Sequence, residues 1–196
     1  EKGIASIPSE TACYPAKISH GHIMDLIEKD IDFIFYPAVF YENKEAEGVD
    51  NHVNLPVVIG FSEVIKHNVD EIMHDDILFL NPFISFDDKK GLEKRLKDEL
   101  KIFEIPNREI RNATDLAWEE LMNYKRDIEK KGEETLKIIE EENLHGIVLA
   151  GRPYHVDPEI NHGIPELITS LGMAVLTEDS VAHLAKPERP LRVLDQ

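Results

Sequence analysis

The chain has 196 residues, enough for one large domain or two small lobes, and enough to bury about 70% of its unfolded surface without disulfide or metal staples. Asp and Glu outnumber Lys and Arg 39 to 22, a net charge of −17, which repels phosphate backbones and anionic lipid surfaces and argues against nucleic acid and membranes as partners. With a single cysteine, Cys13, and no apolar run near the roughly 20 residues of a transmembrane helix, a cytoplasmic protein without internal disulfides is expected.

The opening Glu1-Lys2-Gly3-Ile4-Ala5 is neither an initiator Met nor a signal peptide, and the closing Leu191-Arg192-Val193-Leu194-Asp195-Gln196 reads as an element cut short. An excised piece of a longer protein is expected. In chain order, Pro15 to Lys29 reads as a helix with Pro at an early position. Ile31 to Phe40, rich in aromatic and β-branched residues, reads as a buried strand ending near Pro37. The polar stretch Glu42 to Asn54 reads as a mobile loop. Pro56 to Phe61 reads as a second strand, followed by a helix over Ser62 to His74 with Ser62 as its N-cap.

Ile77 to Phe83 is a third strand, closed by Asn-Pro. Asp87 to Phe103 is a charged amphipathic helix. Asn107 to Asn143 is the longest helix, with an apolar stripe at Ile110, Ala113, Ala117, Leu121, Tyr124, Ile128, Thr135 and Ile139, and with Gly132 as a candidate break. Gly146 to Gly151 and Ala174 to Thr177 are the last two strands, with a helix over Pro158 to Leu171 between them, stopped by Gly172. Helices alternating with short, continuously apolar strands imply an α/β fold, Rossmann-like and mostly parallel, with a long helical segment. The segments group into a first α/β lobe at 1–86, a helical bridge at 87–143 and a second α/β lobe at 144–196.

Three motifs offer chemistry. Ser9-Glu10-Thr11-Ala12-Cys13-Tyr14-Pro15-Ala16-Lys17 places Cys13 at a helix start, where the free N–H groups favour the thiolate that a metal centre needs; the competing reading is a small buried hydrophobe. His20 and His22, two positions apart, cannot share a helix face, so a chelating pair is not expected and at least one is a core or capping histidine. Gly151-Arg152-Pro153-Tyr154-His155-Val156-Asp157-Pro158, with Asn161-His162-Gly163, follows a strand at the end where open α/β sheets bind ligands. Arg152, Tyr154, His155 and His162 are its candidate ligand-binding residues, weighed evenly against a turn whose polar groups satisfy one another. It has neither the spacing of a dinucleotide loop nor that of a P-loop. Thr177-Glu178-Asp179-Ser180 ends the last strand, with Glu178 as the ligand candidate and helix capping by Asp179 or Ser180 as the simpler reading. Asn81-Pro82-Phe83 occupies a similar position without strong chemistry. Cys13 and the two loops are expected to face one crevice.

These residues resemble a known family. Pro8 to Lys17 with His20-Gly21-His22, Leu149 to His155 with Pro158 to Gly163, Leu176 to Ser180 and the closing Leu191 to Gln196 are similar to the domain found in long CoA-substrate-specific enzyme activases, relatives of the 2-hydroxyacyl-CoA dehydratase activator. The resemblance covers nearly the whole chain. It implies an ATP-dependent system of anaerobic metabolism in which an activator carrying a 4Fe-4S cluster passes an electron to a dehydratase. It also implies ATPase activase modules of the same parent chain and a dehydratase-like subunit as partners. Cys13 matches the cysteine of the family's first motif and is the candidate metal ligand. A second family cysteine often precedes the Pro-Val-Val segment, where this chain has Leu55. A redox or docking module is therefore expected, with no catalysis by this chain alone. The alternatives are a binding module for an acyl-CoA or other anionic ligand held by Arg152, and an interaction scaffold using the 107–143 helix.

Overall fold

The computed structural model describes residues 2–29, 31–44, 52–74 and 77–185. Most of the expected loop at 42–54, and the closing 191–196, lie outside the described residues. The fold is mixed α/β, built from short parallel strand pairs, shorter helices and one long helix. It divides into two units, one formed by the described residues up to Thr114 and the other by those from Asp115 onward.

In the first unit, α1 (Tyr14–Ile27) carries Pro15 in its first turn, where a missing N–H costs nothing. Ala16, His20 and Ile23 form its buried face. Ile23 joins Ile34, Ile65, Val69 and Ile72 in the core, ringed by Met24, Ile27, Tyr36, Ile77 and Phe79. Ile65 is fully buried, and each such side chain contributes about 1.5–3 kcal/mol on leaving water. The N-terminal turn packs onto α1 through Gly3. Its positive φ of 76° suits glycine, and a Cβ there would lie 2.7 Å from the His20 carbonyl carbon. Ser6 Oγ lies 2.9 Å from the Gly3 carbonyl oxygen and 2.8 Å from His20 Nδ1, so the buried imidazole is hydrogen-bonded. His20 is thus the core histidine expected of the pair, and His22 is exposed. The surface ion pairs of Lys2 with Asp25 and Glu28 add little beside this packing.

The strands of this unit are β1 (Phe33–Phe35), β2 (Ala38–Tyr41), β3 (Leu78–Leu80) and β4 (Phe83–Ser85), with β1 parallel to β3 and β2 parallel to β4. The strand expected to end near Pro37 resumes beyond it. Tyr36 N–H donates to the Leu80 carbonyl at 2.8 Å and Ala38 N–H to the Pro82 carbonyl at 2.9 Å, so one ribbon runs through both breaks. The breaks have one cause. In this register the Tyr36 carbonyl faces the nitrogen of Pro82, which has no proton to donate. Phe33 and Phe35 remain more than a third exposed, so β1 alternates outward and inward instead of being covered on both faces as the continuous apolar run suggested. Phe103, after α4 (Lys89–Glu99), stacks on Phe33 with ring centres 4.7 Å apart.

Pro56 to Phe61 is helical, not a strand, and forms the start of α2 (Pro56–Lys66). A short apolar run reads equally as a buried strand or a buried helix; here Pro56 supplies the pre-set first turn and Val58, Ser62 and Ile65 follow at helical spacing. Ser62 is consequently no N-cap but a buried mid-helix residue. The expected helix over Ser62 to His74 is the end of α2 plus a separate α3 (Asp70–Met73).

The long helix α5 (Asn107–Glu141) is present within two residues of its expected end and runs unbroken through Gly132. Its expected stripe holds in part: Ile110 is buried, and Leu121, Ile128, Thr135 and Ile139 are half-buried. Thr114 is also buried, whereas Ala113, Ala117 and Tyr124 are exposed. The buried Thr114 hydroxyl donates to the Ile110 carbonyl at 2.8 Å, which satisfies it without a partner from elsewhere.

In the second unit, β5 (His145–Leu149) lies parallel to β6 (Met173–Thr177), with Leu149 opposite Thr177. The connecting helix is not continuous over Pro158 to Leu171. It breaks into α6 (Pro158–Asn161) and α7 (Ile164–Ser170), because His162 and Gly163 both take left-handed φ values, 52° and 78°. After β6 comes α8 (Glu178–Val181). Gly132 is where α5 meets α8: a Cβ on it would lie 2.0 Å from the Ser180 carbonyl oxygen. Among the described residues no helix is long and apolar enough to cross a membrane.

Two outcomes follow. Gly132→Ala must push α8 off α5, and urea denaturation should show a loss of about 1–3 kcal/mol, as for an overpacked core. Burial lowers the His20 pKa below its ordinary 6.5. The folded state therefore binds this proton less readily than the unfolded chain. The contribution is fully present above about pH 6.5 and is lost as pH falls below it. Urea midpoints across this range should fall with acid in the wild type and fall less steeply in His20→Gln.

Candidate functional site

Cys13 is the N-cap residue of α1, with extended backbone (φ −62°, ψ 156°). Its side chain makes no capping hydrogen bond, and the residue is half-buried, so the sulfur lies at the positive end of a 14-residue helix without being committed to it. The turn before it is held locally. Ser9 and Thr11 hydroxyls lie 2.8 Å apart, and Lys17 Nζ donates to the Glu10 carbonyl at 2.6 Å.

The other sequence-predicted residues belong to the second unit. The register of Leu149 with Thr177 brings the Arg152 loop and the Glu178 turn out of the same end of the β5–β6 pair, the carboxyl end. The Arg152 loop is braced from within. Arg152 N–H donates to His155 Nδ1 at 3.0 Å, and His155 N–H donates to the Arg152 carbonyl at 2.8 Å. His155 Nδ1 is thus an acceptor, which leaves the proton of the neutral ring on Nε2. Gly151 makes this fold-back possible, since a Cβ there would lie 2.6 Å from that same nitrogen. The Tyr154 ring packs edge-on against His155 at 4.4 Å.

Beyond the loop, Asp157 caps α6, accepting from Glu159 N–H at 2.9 Å and Ile160 N–H at 3.3 Å. The buried Asn161 ties the turn together: its Nδ2 donates to the Val156 carbonyl at 3.2 Å, and its Oδ1 accepts from Gly163 N–H at 2.8 Å. After β6, Thr177 takes the N-cap position of α8, not Asp179 or Ser180. Thr177 Oγ1 hydrogen-bonds the Asp179 carboxylate, and Ser180 Oγ donates back to the Thr177 carbonyl at 2.7 Å. Arg152, His155, His162 and Glu178 are exposed and Tyr154 is half-buried. What this end offers is one guanidinium and a set of donors on a turn that the loop's own hydrogen bonds keep in shape.

An iron–sulfur cluster takes about four ligands, mostly thiolates. The chain has one cysteine, and among the described residues no group of three or more His, Cys, Asp or Glu gathers around a point. The residues present do not make up a cluster site by themselves.

Sequence reasoning passed over a group in the first unit. His52 Nε2 lies 3.0 Å from Asp87 Oδ2, and Ser85 Oγ donates to Asp87 Oδ1 at 2.6 Å. The Ser85 and His52 hydrogen bonds lower the Asp87 pKa. Tyr41 tilts against the His52 ring at 5.0 Å. His52 and Asp87 are 35 residues apart, and no motif joins them.

The family model described as the CoA enzyme activase uncharacterised domain matches residues 1–181. Neither the curated proteins nor the solved structures include a match.

Proposed function

Because the chain belongs to the CoA enzyme activase uncharacterised domain family, we propose that it is a docking module of an ATP-dependent dehydratase-activating system, set between ATPase modules of its parent chain and a dehydratase-like subunit. Its contribution to a 4Fe-4S centre is one thiolate, Cys13, with the other ligands drawn from other polypeptide. The observation that supports this is the placement of Cys13: the N-cap residue of α1, half-buried, with a side chain that makes no capping hydrogen bond. Supplying one ligand to a shared centre requires a sulfur that is reachable and held by a rigid element, and α1 is anchored by Ile23 in the core. Anaerobically purified parent protein is expected to be brown, to contain iron and acid-labile sulfide, and to lose most of both in Cys13→Ala. Colourless, iron-free wild-type protein overturns the metal part of the proposal.

A second reading rests on the carboxyl end of β5–β6. The register places Arg152 and the α8 turn at one end of a parallel pair, and the exposed guanidinium suits bidentate contact with an anionic group such as the phosphate of an acyl-CoA. Thermal melts in millimolar acetyl-CoA should show stabilisation in the wild type that is lost in Arg152→Ala. An equal shift in both proteins removes Arg152 from the site, and no shift in either removes the site.

A further inference from the structure

The carboxyl end of the β2–β4 pair opens into a groove of about 530 Å³, a volume typical of small-molecule sites. Its walls include the rings of Phe40, Tyr41 and Phe83, and its acidic members are Asp87 and Asp88. The position is the one where open parallel sheets bind ligands, between strand ends and the start of the following helix.

Two neighbouring residues of a strand ordinarily point to opposite faces. Phe40 and Tyr41 both line the groove because β2 bulges there: Val39 pairs with Ile84 and Tyr41 with Ser85, which leaves Phe40 as the extra residue. The bulge also changes the hydrogen-bonding phase. Before it, Ala38 N–H donates to the Pro82 carbonyl, just ahead of β4; after it, Tyr41 accepts from Phe86 N–H, while Phe40 and Glu42 turn their backbones to residues 52–54. The two rings meet edge to face at 4.7 Å, and Phe83 is half exposed. Three aromatic side chains are thus presented to the groove instead of being packed away.

The charges select what those rings would hold. Asp87 stays ionised under its hydrogen bonds from Ser85 and His52. Asp88 accepts from Lys90 N–H at 3.0 Å as the N-cap of α4, and Gly91 leaves room for its second oxygen, which a Cβ would approach to 2.6 Å. Arg95, the cationic member of the lining, is ion-paired with Glu99 at 2.9 Å. Aromatic faces attract a cation through their quadrupoles and carboxylates attract it through charge, whereas a phosphate or carboxylate ligand would be repelled.

We propose that the groove at the end of β2 and β4 is a binding site for a small organic ammonium ion, with Phe40, Tyr41 and Phe83 contacting its apolar body and Asp87 and Asp88 balancing its charge. The bulge is what builds this site, and the His52–Asp87 contact anchors its acidic side to the segment beside β2.

Choline and its uncharged isostere 3,3-dimethylbutan-1-ol separate charge from shape. Calorimetric titration of the 196-residue chain should give saturable millimolar binding of choline and at least about ten-fold weaker binding of the alcohol. Asp88→Asn keeps an equally good cap and removes the charge, and Phe83→Leu keeps an apolar wall and removes the π face. Each should weaken choline roughly 3- to 10-fold without altering the melting temperature, and Asp88→Asn should leave binding of the alcohol as it was. No saturation by choline in the millimolar range, equal binding of choline and the alcohol, or choline binding unchanged in both variants overturns the proposal.

Discussion

The first unit is held by the meeting of three isoleucines from three elements: Ile23 of α1, Ile34 of β1 and Ile65 of α2. Strands of three or four residues do not persist in water by hydrogen bonding alone. β1 to β4 exist because the inward residues of the ribbon, Ile34, Ala38 and Ile84, are buried. The two ends of the unit inherit this. Cys13 stands where it does because Ile23, ten residues on, fixes α1. The aromatic groove lies where it does because the same ribbon, continued past its prolines, ends at Tyr41 and Ser85.

The second unit is organised by close approach. Gly132 lets the α8 backbone come against α5, and Gly151 lets the His155 ring fold back over its own loop. In both places the absence of a side chain fixes the geometry. Here the turn reading of the Arg152 loop has substance: much of its polar capacity is spent on Arg152–His155, Asp157 and Asn161 contacts. The Arg152 guanidinium, the His155 Nε2 and the exposed His162 remain outward.

Much of this was legible in the residues. Pro15 marked the start of α1 and so the place of Cys13, and the long amphipathic run marked α5. The runs at 146–151 and 174–177 marked β5 and β6, whereas the run at 77–83 marked β3 but hid the break at Asn81-Pro82 and the separate β4 that starts at Phe83. Pro56 to Phe61 misled because six apolar residues fit a strand and a buried helix alike, and only the continuation to Ser62 and Ile65 decides between them. The break at His162 was hidden because a histidine in the left-handed region leaves no compositional mark, whereas Gly163 after it is what makes the break affordable. The stripe of α5 was legible at Ile110, Leu121, Ile128, Thr135 and Ile139, but not near the start of the helix, where Thr114 faces inward and Ala113 and Ala117 do not. The aromatic groove was illegible for a different reason. A bulge has no signature in an alternating pattern, and His52 with Asp87 is a contact made by the fold.

The paired breaks at Tyr36-Pro37 and Asn81-Pro82 have one more effect. Tyr36 and Ala38 spend their N–H groups on the β3–β4 side, so the nitrogen of Pro37 belongs to the opposite edge, where it has no proton. Residues 52–54 already take this edge at Phe40 and Glu42; ahead of them, a foreign strand laid along it would find a missing rung at Pro37, beside the exposed Phe35. The ring of a proline thereby discourages self-association through the sheet at the point where the outward aromatic side chains would otherwise invite it.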